Sequence, residues 1–297
     1  MMKQTNLYGY LDQLKVVVLI ENSASFRSPL LGVHGISYFV EARKESTVMR
    51  LLIDVGQNPD ALLYNARVLG IDLANANTIV LTHCHYDHTQ GLVTILRAIG
   101  KKRIPVIAHK DIFRPNFSVE PYLRYTGMSY EDSAEKIAET GGALLLSKDP
   151  VQIMPGLITS GEIPRYFEFE KEPTPFRTIT SDGRFVEDYM EDEIAVIANV
   201  RNEGLVILTG CSHPGICNII RRAIELTGVK KIKAVMGGFH LMNAGEERIK
   251  RTVECLAQYD IDLIATGHCT GFKAQVELYL RFKDKFMTLH AGESFLF

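Results

Sequence analysis

The chain has 297 residues, of which 46% are hydrophobic and 23% charged, so its composition is that of an ordinary globular protein and excludes a disordered, collagen-like or coiled-coil chain. Lysine and arginine total 33 against 35 aspartates and glutamates, which gives a net charge of −2. No basic excess is available to neutralise a phosphate backbone, so nucleic acid is not expected as the main partner.

Short apolar runs alternate with helical patterns in the first part of the chain. Strands are predicted at 15–20, 36–41, 48–54, 78–82 and 105–108, and helices at 60–70 and 90–100. The first of these helices is predicted because Leu62, Ala66 and Leu69 recur at the spacing that places apolar side chains on one helical face.

Two segments, 111–130 and 161–190, break this pattern. The first segment carries aromatic residues among prolines and glycines, namely Phe113, Phe117, Tyr122, Tyr125 and Tyr130. Irregular segments of this length in a compact domain are usually lids or binding loops. Two interpretations stay open: the segments cover a site, or they are surface insertions whose aromatic rings pack on the body of the protein.

The second half is more regular. Strands are predicted at 193–200, 205–209, 232–236, 261–265 and 286–290, and helices at 215–227, 245–258 and 273–282. Early strands followed by strand–helix alternation predict a mixed sheet, or two sheets, covered by helices.

Cysteine usage and the apolar runs bear on location. The run Val16–Ile20 has five residues, whereas a transmembrane helix needs ~20. The N-terminal residues 1–5 lack the apolar core of a secretory signal. Five cysteines, an odd number, are typical of free thiols in a reducing compartment. We therefore expect a cytoplasmic protein without a membrane partner.

Six of the nine histidines follow closely after predicted strands. They are His83, His85, His88, His213, His240 and His268. Ligands of open α/β sheets gather outside strand ends, where several loops can approach one another. Four separate strand ends that carry imidazoles therefore indicate one site assembled from distant parts of the sequence.

The strongest local signal is the run from His83 to His88, which reads His-Cys-His-Tyr-Asp-His. His83 and His85 are two apart after a strand and can point to the same side. Asp87 and His88 can reach the same cation or a neighbouring one. Imidazole and carboxylate suit Zn²⁺, Mn²⁺ or iron, and the lack of paired cysteines favours a catalytic over a structural metal site.

This His-x-His-x-Asp-His pattern resembles the signature of the metallo-β-lactamase superfamily. The run Leu51–Gly56 resembles the early strand of that superfamily that ends in Asp and Gly. One branch is resembled in particular, that of dihydropterin–ribofuranosylaminobenzene phosphate synthases and related metal-dependent hydrolases. Its motifs are matched by Glu21-Asn22, His34-Gly35-Ile36-Ser37, Asn65-Ala66, Gly161-Glu162-Ile163-Pro164-Arg165, Gly210-Cys211-Ser212-His213, Gly237-Gly238-Phe239-His240-Leu241 and His268-Cys269-Thr270-Gly271.

The resemblance implies an α/β fold, a four-layer αββα sandwich formed by residues 1–297 as a single domain, with 111–130 and 161–190 as insertions. It also implies one or two divalent metal ions, zinc in the first place and manganese or iron as alternatives. His83 and His85 are implied as ligands of the first ion, Asp87 and His88 as ligands of the second, and His268 as the last ligand.

Two positions depart from the superfamily pattern. Pro155-Gly156 is followed by Leu157, where a histidine ligand is usual, and Gly210 is followed by Cys211, where a bridging aspartate is usual. We expect His213 to replace the missing histidine. Cys211 is either a thiolate ligand or has no role at the metal, so the number of ions stays open.

Further residues are predicted to act on the substrate. Asp87 could orient or deprotonate a metal-activated water, as ligand and base together. Ser212 is predicted to cap the helix that starts near 215, where a phosphate could bind. Arg165 could contact an anion, and His240 could contact substrate or be a buried core histidine. His34 is expected to serve local structure only.

Three functions remain open from the sequence. The first is hydrolysis of a phosphate-containing small molecule. The second is transfer of a dihydropterin from its diphosphate to an aminobenzene ribotide. The third is a non-enzymatic metal sensor, possible in principle because two usual ligands are missing. A homo-oligomer is compatible with all three.

Overall fold

The structure is a computed structural model and describes residues 8–171 and 174–297. Residues 1–5, on which the expectation about a secretory signal is based, lie outside this part. The strands in chain order are β1 (Gln13–Ile20), β2 (Ser37–Lys44), β3 (Thr47–Ile53), β4 (Thr78–Val80), β5 (Ile104–Ala108), β6 (Asn116–Ser118), β7 (Arg124–Tyr125), β8 (Gly142–Leu146), β9 (Gln152–Met154), β10 (Leu157–Thr159), β11 (Phe176–Ile179), β12 (Phe185–Glu187), β13 (Val196–Val200), β14 (Gly204–Leu208), β15 (Ile232–Gly238), β16 (Ile261–Gly267), β17 (Phe286–Thr288) and β18 (Ser294–Leu296).

Seven α-helices and several short 3₁₀ turns connect the described strands. The helices are α1 (Pro59–Val68), α2 (Tyr86–Thr89), α3 (Leu92–Ile99), α4 (Ala134–Glu139), α5 (Ile216–Thr227), α6 (Glu246–Leu256) and α7 (Phe272–Phe282). In this part of the chain no helix combines the length and the apolar character that a bilayer crossing requires.

Two seven-stranded sheets form the centre of the molecule. The first has the order β18-β1-β2-β3-β4-β5-β8, and the second has the order β17-β16-β15-β14-β13-β10-β9. An apolar core between them joins inward side chains of both sheets, such as Val16 and Val40 from the first with Val206 and Met236 from the second. The strands of both sheets are strongly apolar because each sheet has one face against the other sheet and one face under helices.

Helices cover the outer faces of the two sheets. Side chains of α1, α3 and α4, including Leu62 and Leu96, pack on the first sheet. Side chains of α5, α6 and α7, including Ile220 and Leu278, pack on the second. The layers are therefore helix, sheet, sheet, helix, and the predicted four-layer αββα sandwich is confirmed.

The two segments predicted to be irregular pair with each other. A third, four-stranded sheet has the order β12-β11-β6-β7, so it takes two strands from 111–130 and two from 161–190. Antiparallel pairing joins Phe117 of β6 to Arg177 of β11. The segments are thus linked to each other, and β6 lies beside the loop that follows β4, because Asn116 contacts His85.

Most predicted strands and helices lie within a few residues of the observed ones, although the predicted strand at 193–200 begins only at Val196. Sequence patterns did not indicate β8, β9, β10, β18, α4 or the third sheet. These elements have six residues or fewer, and runs this short contain too few positions to display a period.

The topology brings the predicted site residues to one edge. β3 and β4 pair in parallel in the first sheet, and β14, β15 and β16 pair in parallel in the second. In each sheet the carboxyl ends of these strands therefore lie side by side, and the contact between His88 and His268 shows that the two sets meet at one edge of the sandwich. The loops after β4, β14, β15 and β16 carry the histidines.

Candidate metal centre

The seven predicted ligands converge at this edge of the sandwich. The first sheet supplies the segment His83–His88, and the second supplies Cys211, His213 and His268. All seven side chains are buried. Here they are called the donor cluster, and it consists of His83, His85, Asp87, His88, Cys211, His213 and His268.

Four donors form one group that could hold a cation. One ligand atom from each of Asp87, His88, Cys211 and His268 lies within 4.8 Å of the other three. Nε2 of His88 lies 3.3 Å from Nε2 of His268. The sulfur of Cys211 lies 3.2 Å from each of these nitrogens. An aspartate oxygen, two imidazoles and a thiol are a donor set that suits zinc and iron.

The remaining histidines form a second group beside the first. His83, Cys211 and His213 also offer ligand atoms within 4.8 Å of one another. Nδ1 of His85 lies 3.2 Å from Nε2 of His213. Cys211 belongs to both groups, so its sulfur lies where the superfamily pattern would place a bridging carboxylate. Two neighbouring cations could share it.

Hydrogen bonds on the far side of three of the rings fix which nitrogen faces the cluster. Nδ1 of His88 lies 2.7 Å from the Asp54 carboxylate, and Nδ1 of His268 lies 3.0 Å from Oδ1 of Asn22. Nε2 of His85 lies 3.1 Å from Oδ1 of Asn116, which turns its Nδ1 inward. Such outer partners orient metal-binding imidazoles and raise their basicity.

These contacts provide a test of whether a cation fits. Nδ1 of His88 and Nδ1 of His268 both face acceptors, so in the neutral rings each Nε2 presents a lone pair, and two lone pairs 3.3 Å apart repel unless a cation or a proton lies between them. Nitrogens that share a tetrahedral zinc at ~2.0–2.1 Å would be separated by about 3.3 Å. The buried Nε2 of His83 has no hydrogen-bond partner among the described residues. The donor cluster therefore fits a metal ion.

The electrostatics of the cluster also favour positive charge. Burial alone would lower the pKa of His88, but the carboxylates of Asp87 and Asp54 outweigh it and raise this pKa to about 9. Burial alone would raise the pKa of Asp87, yet His88 and His268 hold it well below its usual range. Asp87 therefore stays ionised at neutral pH, as a carboxylate ligand must.

Glu193 organises the loop that carries Cys211 and His213. Its carboxylate accepts hydrogen bonds from the backbone N–H groups of Cys211, Ser212 and His213 at 3.0, 2.6 and 2.5 Å. Burial raises the pKa of Glu193 to about 7, although these N–H groups oppose the shift. Sequence reasoning placed Glu193 in a strand and missed this role.

A second buried network supports the loop after β4. The carboxylate of Asp192 accepts from the backbone N–H of Cys84 at 2.7 Å and pairs with Arg114. Arg114 also pairs with Asp188, which accepts from the side-chain amide of Asn116. Sequence patterns did not predict this network, although its two acidic members, Asp188 and Asp192, lie in the run Glu187–Glu193, which has five carboxylates in seven positions.

The predicted helix cap is wrong. Ser212 does not cap α5; its hydroxyl donates to the carbonyl oxygen of Gly238 at 2.6 Å, and the N-cap residue is Gly215. The carboxylate of Glu170, from the distant 161–190 segment, accepts from the N–H groups of Cys217 and Asn218 at 3.0 and 2.8 Å. Glu170 therefore occupies the helix N-terminus that was expected to bind phosphate.

Gly215 allows Glu170 to approach. Its φ is +97°, in the left-handed region, and an added Cβ would lie 2.2 Å from the carboxyl carbon of Glu170. Any other residue at this position would both strain the backbone and displace the carboxylate.

The other two predicted substrate contacts lie beside the cluster. Arg165 donates to the carbonyl oxygen of His213 at 2.9 Å and also to that of Tyr189, so its donors already hold backbone groups. The ring of His240 lies 4.1 Å from that of His213. His240 forms a third group of close donor atoms with Cys211 and Cys269.

His34, expected to serve local structure only, lies at the cluster. Its Nε2 is 3.2 Å from the Asp87 carboxylate, and 44% of its side chain is exposed. Its ring centroid lies 5.1 Å from that of His268. The expectation failed because the loop before β2 returns to the edge where β4 ends, a contact that the local sequence does not reveal.

Several residues at this edge have strained backbones. Asp54, Ser212, His240 and His268 have φ values of +53°, +64°, +47° and +47°. Left-handed backbone in non-glycine residues costs about 1–2 kcal/mol each and is concentrated at functional sites. All four residues follow strands, where the chain turns sharply to bring a side chain or carbonyl to the cluster.

Comparison with known proteins shows the family to which the chain belongs. A sequence model described as a β-lactamase superfamily domain matches residues 49–148. The 7,8-dihydropterin-6-methyl-4-(β-D-ribofuranosyl)-aminobenzene-5′-phosphate synthase of Methanocaldococcus jannaschii is 40% identical over 287 residues, which cover 96% of this chain and 97% of that protein. This chain belongs to the metallo-β-lactamase superfamily. It belongs to the branch that includes this synthase.

Solved structures of the superfamily support the same conclusion. A metal-dependent hydrolase of the β-lactamase superfamily is 27% identical, with a TM-score of 0.77 over 95% of this chain and 98% of that one. A metallo-β-lactamase fold protein from Bacillus subtilis is 13% identical, with a TM-score of 0.54 over 96% and 100% of the two chains, and shows the fold alone. The chain is therefore an enzyme of the superfamily, which disfavours the non-enzymatic alternative; hydrolase and pterin transferase both fit.

Proposed function

We propose that this enzyme joins a dihydropterin, supplied as its 6-methyl diphosphate, to the amine of an aminobenzene ribotide in a metal-dependent transfer. The observation that carries the proposal is the donor cluster, with two groups that share Cys211, in a chain 40% identical over nearly its whole length to a synthase of that product. Two cations side by side suit a leaving group with several anionic oxygens.

The reaction would exchange one bond for another. The bond between the pterin methylene carbon and the diphosphate oxygen breaks, and its electron pair stays with the diphosphate. The amine nitrogen forms a bond to the same carbon and releases one proton. No oxidant or reductant is needed, and diphosphate is the second product.

The donor cluster would hold the metal ions. We propose zinc, with manganese or iron as alternatives, with His83, His85 and His213 around one ion, Asp87, His88 and His268 around the other, and Cys211 between them. Divalent ions in such sites neutralise the charge that develops on phosphate oxygens and lower the pKa of bound water to ~7.

Other residues of the chain would position the reactants. The Asp87 carboxylate lies 3.2 Å from Nε2 of half-exposed His34, so the two can orient the attacking group together, with Asp87 as both ligand and base. His240 and Arg165 flank His213, and Ser212 fixes the backbone between Cys211 and His213. We propose that His240 contacts substrate and that Arg165 acts through the His213 loop.

We also propose that residues 1–297 form a single domain in which 111–130 and 161–190 enclose the substrate. Support comes from the sheet that these segments build and from the contact between Asn116 and His85. A cytoplasmic location stays a prediction from cysteine usage.

Hydrolysis of a phosphate-containing small molecule is the second candidate. It is favoured by the 27% identical structure, described as a metal-dependent hydrolase, with a TM-score of 0.77. The same cluster could direct water instead of an amine at phosphorus or at a neighbouring carbon.

One experiment separates the two candidates. The purified enzyme, loaded in turn with zinc, manganese or iron, is incubated with dihydropterin-6-methyl diphosphate, with and without the aminobenzene ribotide, and the products are separated by liquid chromatography and mass spectrometry. Transfer predicts the coupled product and diphosphate only when both substrates are present. Release of hydroxymethyl dihydropterin at the same rate without the amine would contradict transfer and support hydrolysis. A chelator should stop either reaction.

A further inference from the structure

A pocket opens beside the donor cluster, along the segment that carries the metal motif. Its volume is about 600 Å³, and its lining includes Tyr86, Gln90, Arg124, Tyr125 and Tyr130. Volumes of this order are typical of small-molecule sites. None of these five residues belongs to the donor cluster, so the pocket provides aromatic and cationic contacts that are separate from the candidate metal ligands. We call it the tyrosine pocket.

The tyrosine pocket is continuous with the proposed reaction centre. Tyr86 lies between His85 and Asp87 in sequence, and its backbone N–H donates to the carbonyl oxygen of Thr126 at 3.0 Å, which holds the β7 loop against the motif. The ring of Tyr86 lies 6.4 Å from that of His34, whose Nε2 is 3.2 Å from Asp87. A ligand in contact with the Tyr86 ring is therefore separated from the donor cluster by the side chains of Tyr86 and His34.

Two of the tyrosine rings are exposed, and each has a neighbour that orients it; for Tyr130 this is Lys136, whose Nζ lies 4.8 Å from the ring centroid. Tyr125 is 50% exposed and Tyr130 is 82% exposed. The hydroxyl of Tyr125 donates to the carbonyl oxygen of Met128 at 3.0 Å, and its ring packs edge-on against Phe117 at 5.4 Å. Fixed, solvent-accessible rings offer stacking surfaces to a planar ligand.

Arg124 supplies an uncompensated positive charge in the same pocket. It is exposed and forms no ion pair with any residue that the structure describes. In contrast, Arg114 nearby in sequence is engaged by both Asp188 and Asp192. A free guanidinium beside aromatic rings suits a phosphate, to which it can donate two parallel hydrogen bonds.

We infer that the tyrosine pocket binds the acceptor substrate, an aromatic amine whose sugar carries a phosphate monoester, with the aromatic ring against the tyrosines and the phosphate on Arg124. This inference rests on the proposed transfer. The pterin substrate carries its anionic group on the carbon that reacts, so that group belongs at the donor cluster. Only the acceptor carries a phosphate remote from its reacting atom, which requires a second cationic contact such as Arg124.

Steady-state kinetics of the metal-loaded enzyme tests the assignment. Arg124→Gln should raise KM for the aminobenzene ribotide about ten- to hundredfold, the effect expected from losing a charge-assisted hydrogen bond to phosphate. The KM for the pterin diphosphate and the bound metal content should not change. Arg281→Gln, at an exposed arginine on α7, is the matched control. An unchanged KM for the ribotide in Arg124→Gln would overturn the inference.

Direct binding separates this inference from the proposed reaction. The metal-loaded enzyme is titrated, without pterin, with the aminobenzene ribotide and with its dephosphorylated nucleoside. Wild type should prefer the phosphorylated compound by at least about tenfold, and Arg124→Gln should bind both alike. If that pattern appears but no transfer is found, the pocket assignment is supported and the transfer fails. If transfer occurs while Arg124→Gln keeps the preference, the pocket assignment fails.

A separate substitution tests the stacking of the ligand's aromatic ring on the tyrosines. Tyr130→Leu should weaken binding of both the ribotide and its nucleoside about three- to tenfold, because both carry the aromatic ring. Tyr279→Leu, on α7 and 56% exposed, is the matched control and should bind as wild type does. Equal affinities of Tyr130→Leu and wild type would contradict the ring contact.

Discussion

Nδ1 of His88 lies 2.7 Å from the carboxylate of Asp54, and neither side chain has any exposure to solvent. The same carboxylate accepts hydrogen bonds from the backbone N–H and the hydroxyl of Thr82, both at 2.7 Å. Asp54 thus fixes the end of β4 and the orientation of a donor ring at once. It follows β3, so two adjacent parallel strands cooperate in placing one imidazole.

Asp54→Asn should weaken metal binding about 10- to 100-fold, because the amide cannot accept the His88 N–H while it serves both Thr82 groups. The measurement is metal affinity by competition with a chelator of known strength. Asp284→Asn, at an exposed position, is the control. Unchanged affinity in Asp54→Asn would show that His88 is oriented by other contacts or does not bind metal.

Cys211→Ser should remove the donor that both groups share. We expect the protein to bind one metal equivalent less and its Co²⁺-loaded form to lose the sulfur-to-metal band in the near-ultraviolet spectrum. Cys255→Ser, in the helix layer of the second sheet, should leave the spectrum and the stoichiometry as in wild type. If Cys211→Ser behaves in the same way as that control, Cys211 is not a ligand.

His85→Ala should abolish metal-dependent turnover, since it removes a donor whose inward nitrogen lies 3.2 Å from His213. The fold should persist, which circular dichroism can check. Treatment of wild type with a chelator should reproduce the loss, and added metal should restore wild type but not the variant. Full turnover and metal content in His85→Ala would refute the ligand assignment.

Glu193→Gln should destabilise the Cys211–His213 loop. A glutamine has only one acceptor oxygen for three converging N–H groups and turns an NH₂ donor toward at least one of them, at a cost of about 1–3 kcal/mol in the free energy of unfolding. Urea denaturation measures this cost, with exposed Glu254→Gln as control. We expect metal affinity to fall with it, and equal stability of the two variants would contradict the role of Glu193.

Glu170 should give the stability a specific pH dependence. Burial raises its pKa from the ordinary 4.5 to about 6, so between these values the folded protein holds a proton that the unfolded chain has released. Stability from Glu170 is therefore complete below pH 4.5 and is lost as the pH rises through 6, by about 2 kcal/mol in all.

The comparison with Glu170→Gln isolates this effect. The difference in unfolding free energy, wild type minus variant, should fall between pH 4 and pH 7 because the glutamine does not titrate. Urea denaturation at several pH values gives the curve. A difference that is constant across this range would show that Glu170 titrates alike in the folded and unfolded states.

The sequence was sufficient to predict most strand ends and the candidate donors that the fold brings together. Runs such as Ile79–Thr82 and Val206–Thr209 are apolar because both faces of each sheet are buried, so histidines within four residues after them were visible as a pattern. Residues that act through distant contacts were not visible in this way. Glu193 and Glu170 reach backbone N–H groups about 20 and 47 positions away, and no periodicity encodes such a pairing.

The error at Ser212 has the same origin. A serine followed by Pro214 and Gly215 is typical of a helix start, but the helix begins later and its N-terminus is taken by Glu170. Local propensity describes which residues can cap a helix. It does not predict that a carboxylate from a distant segment accepts the hydrogen bonds of the first N–H groups of the helix.

The donor cluster draws its members from both sheets, with His83 to His88 on one side and Cys211, His213 and His268 on the other. An ion held there would crosslink the two sheets of the sandwich at the edge that they share. Affinity for the ion and the stability of packing between the two sheets are then thermodynamically linked. A substitution in the core between the sheets, far from any donor, would therefore lower the affinity for the metal, because it weakens the packing that keeps the two sheets together.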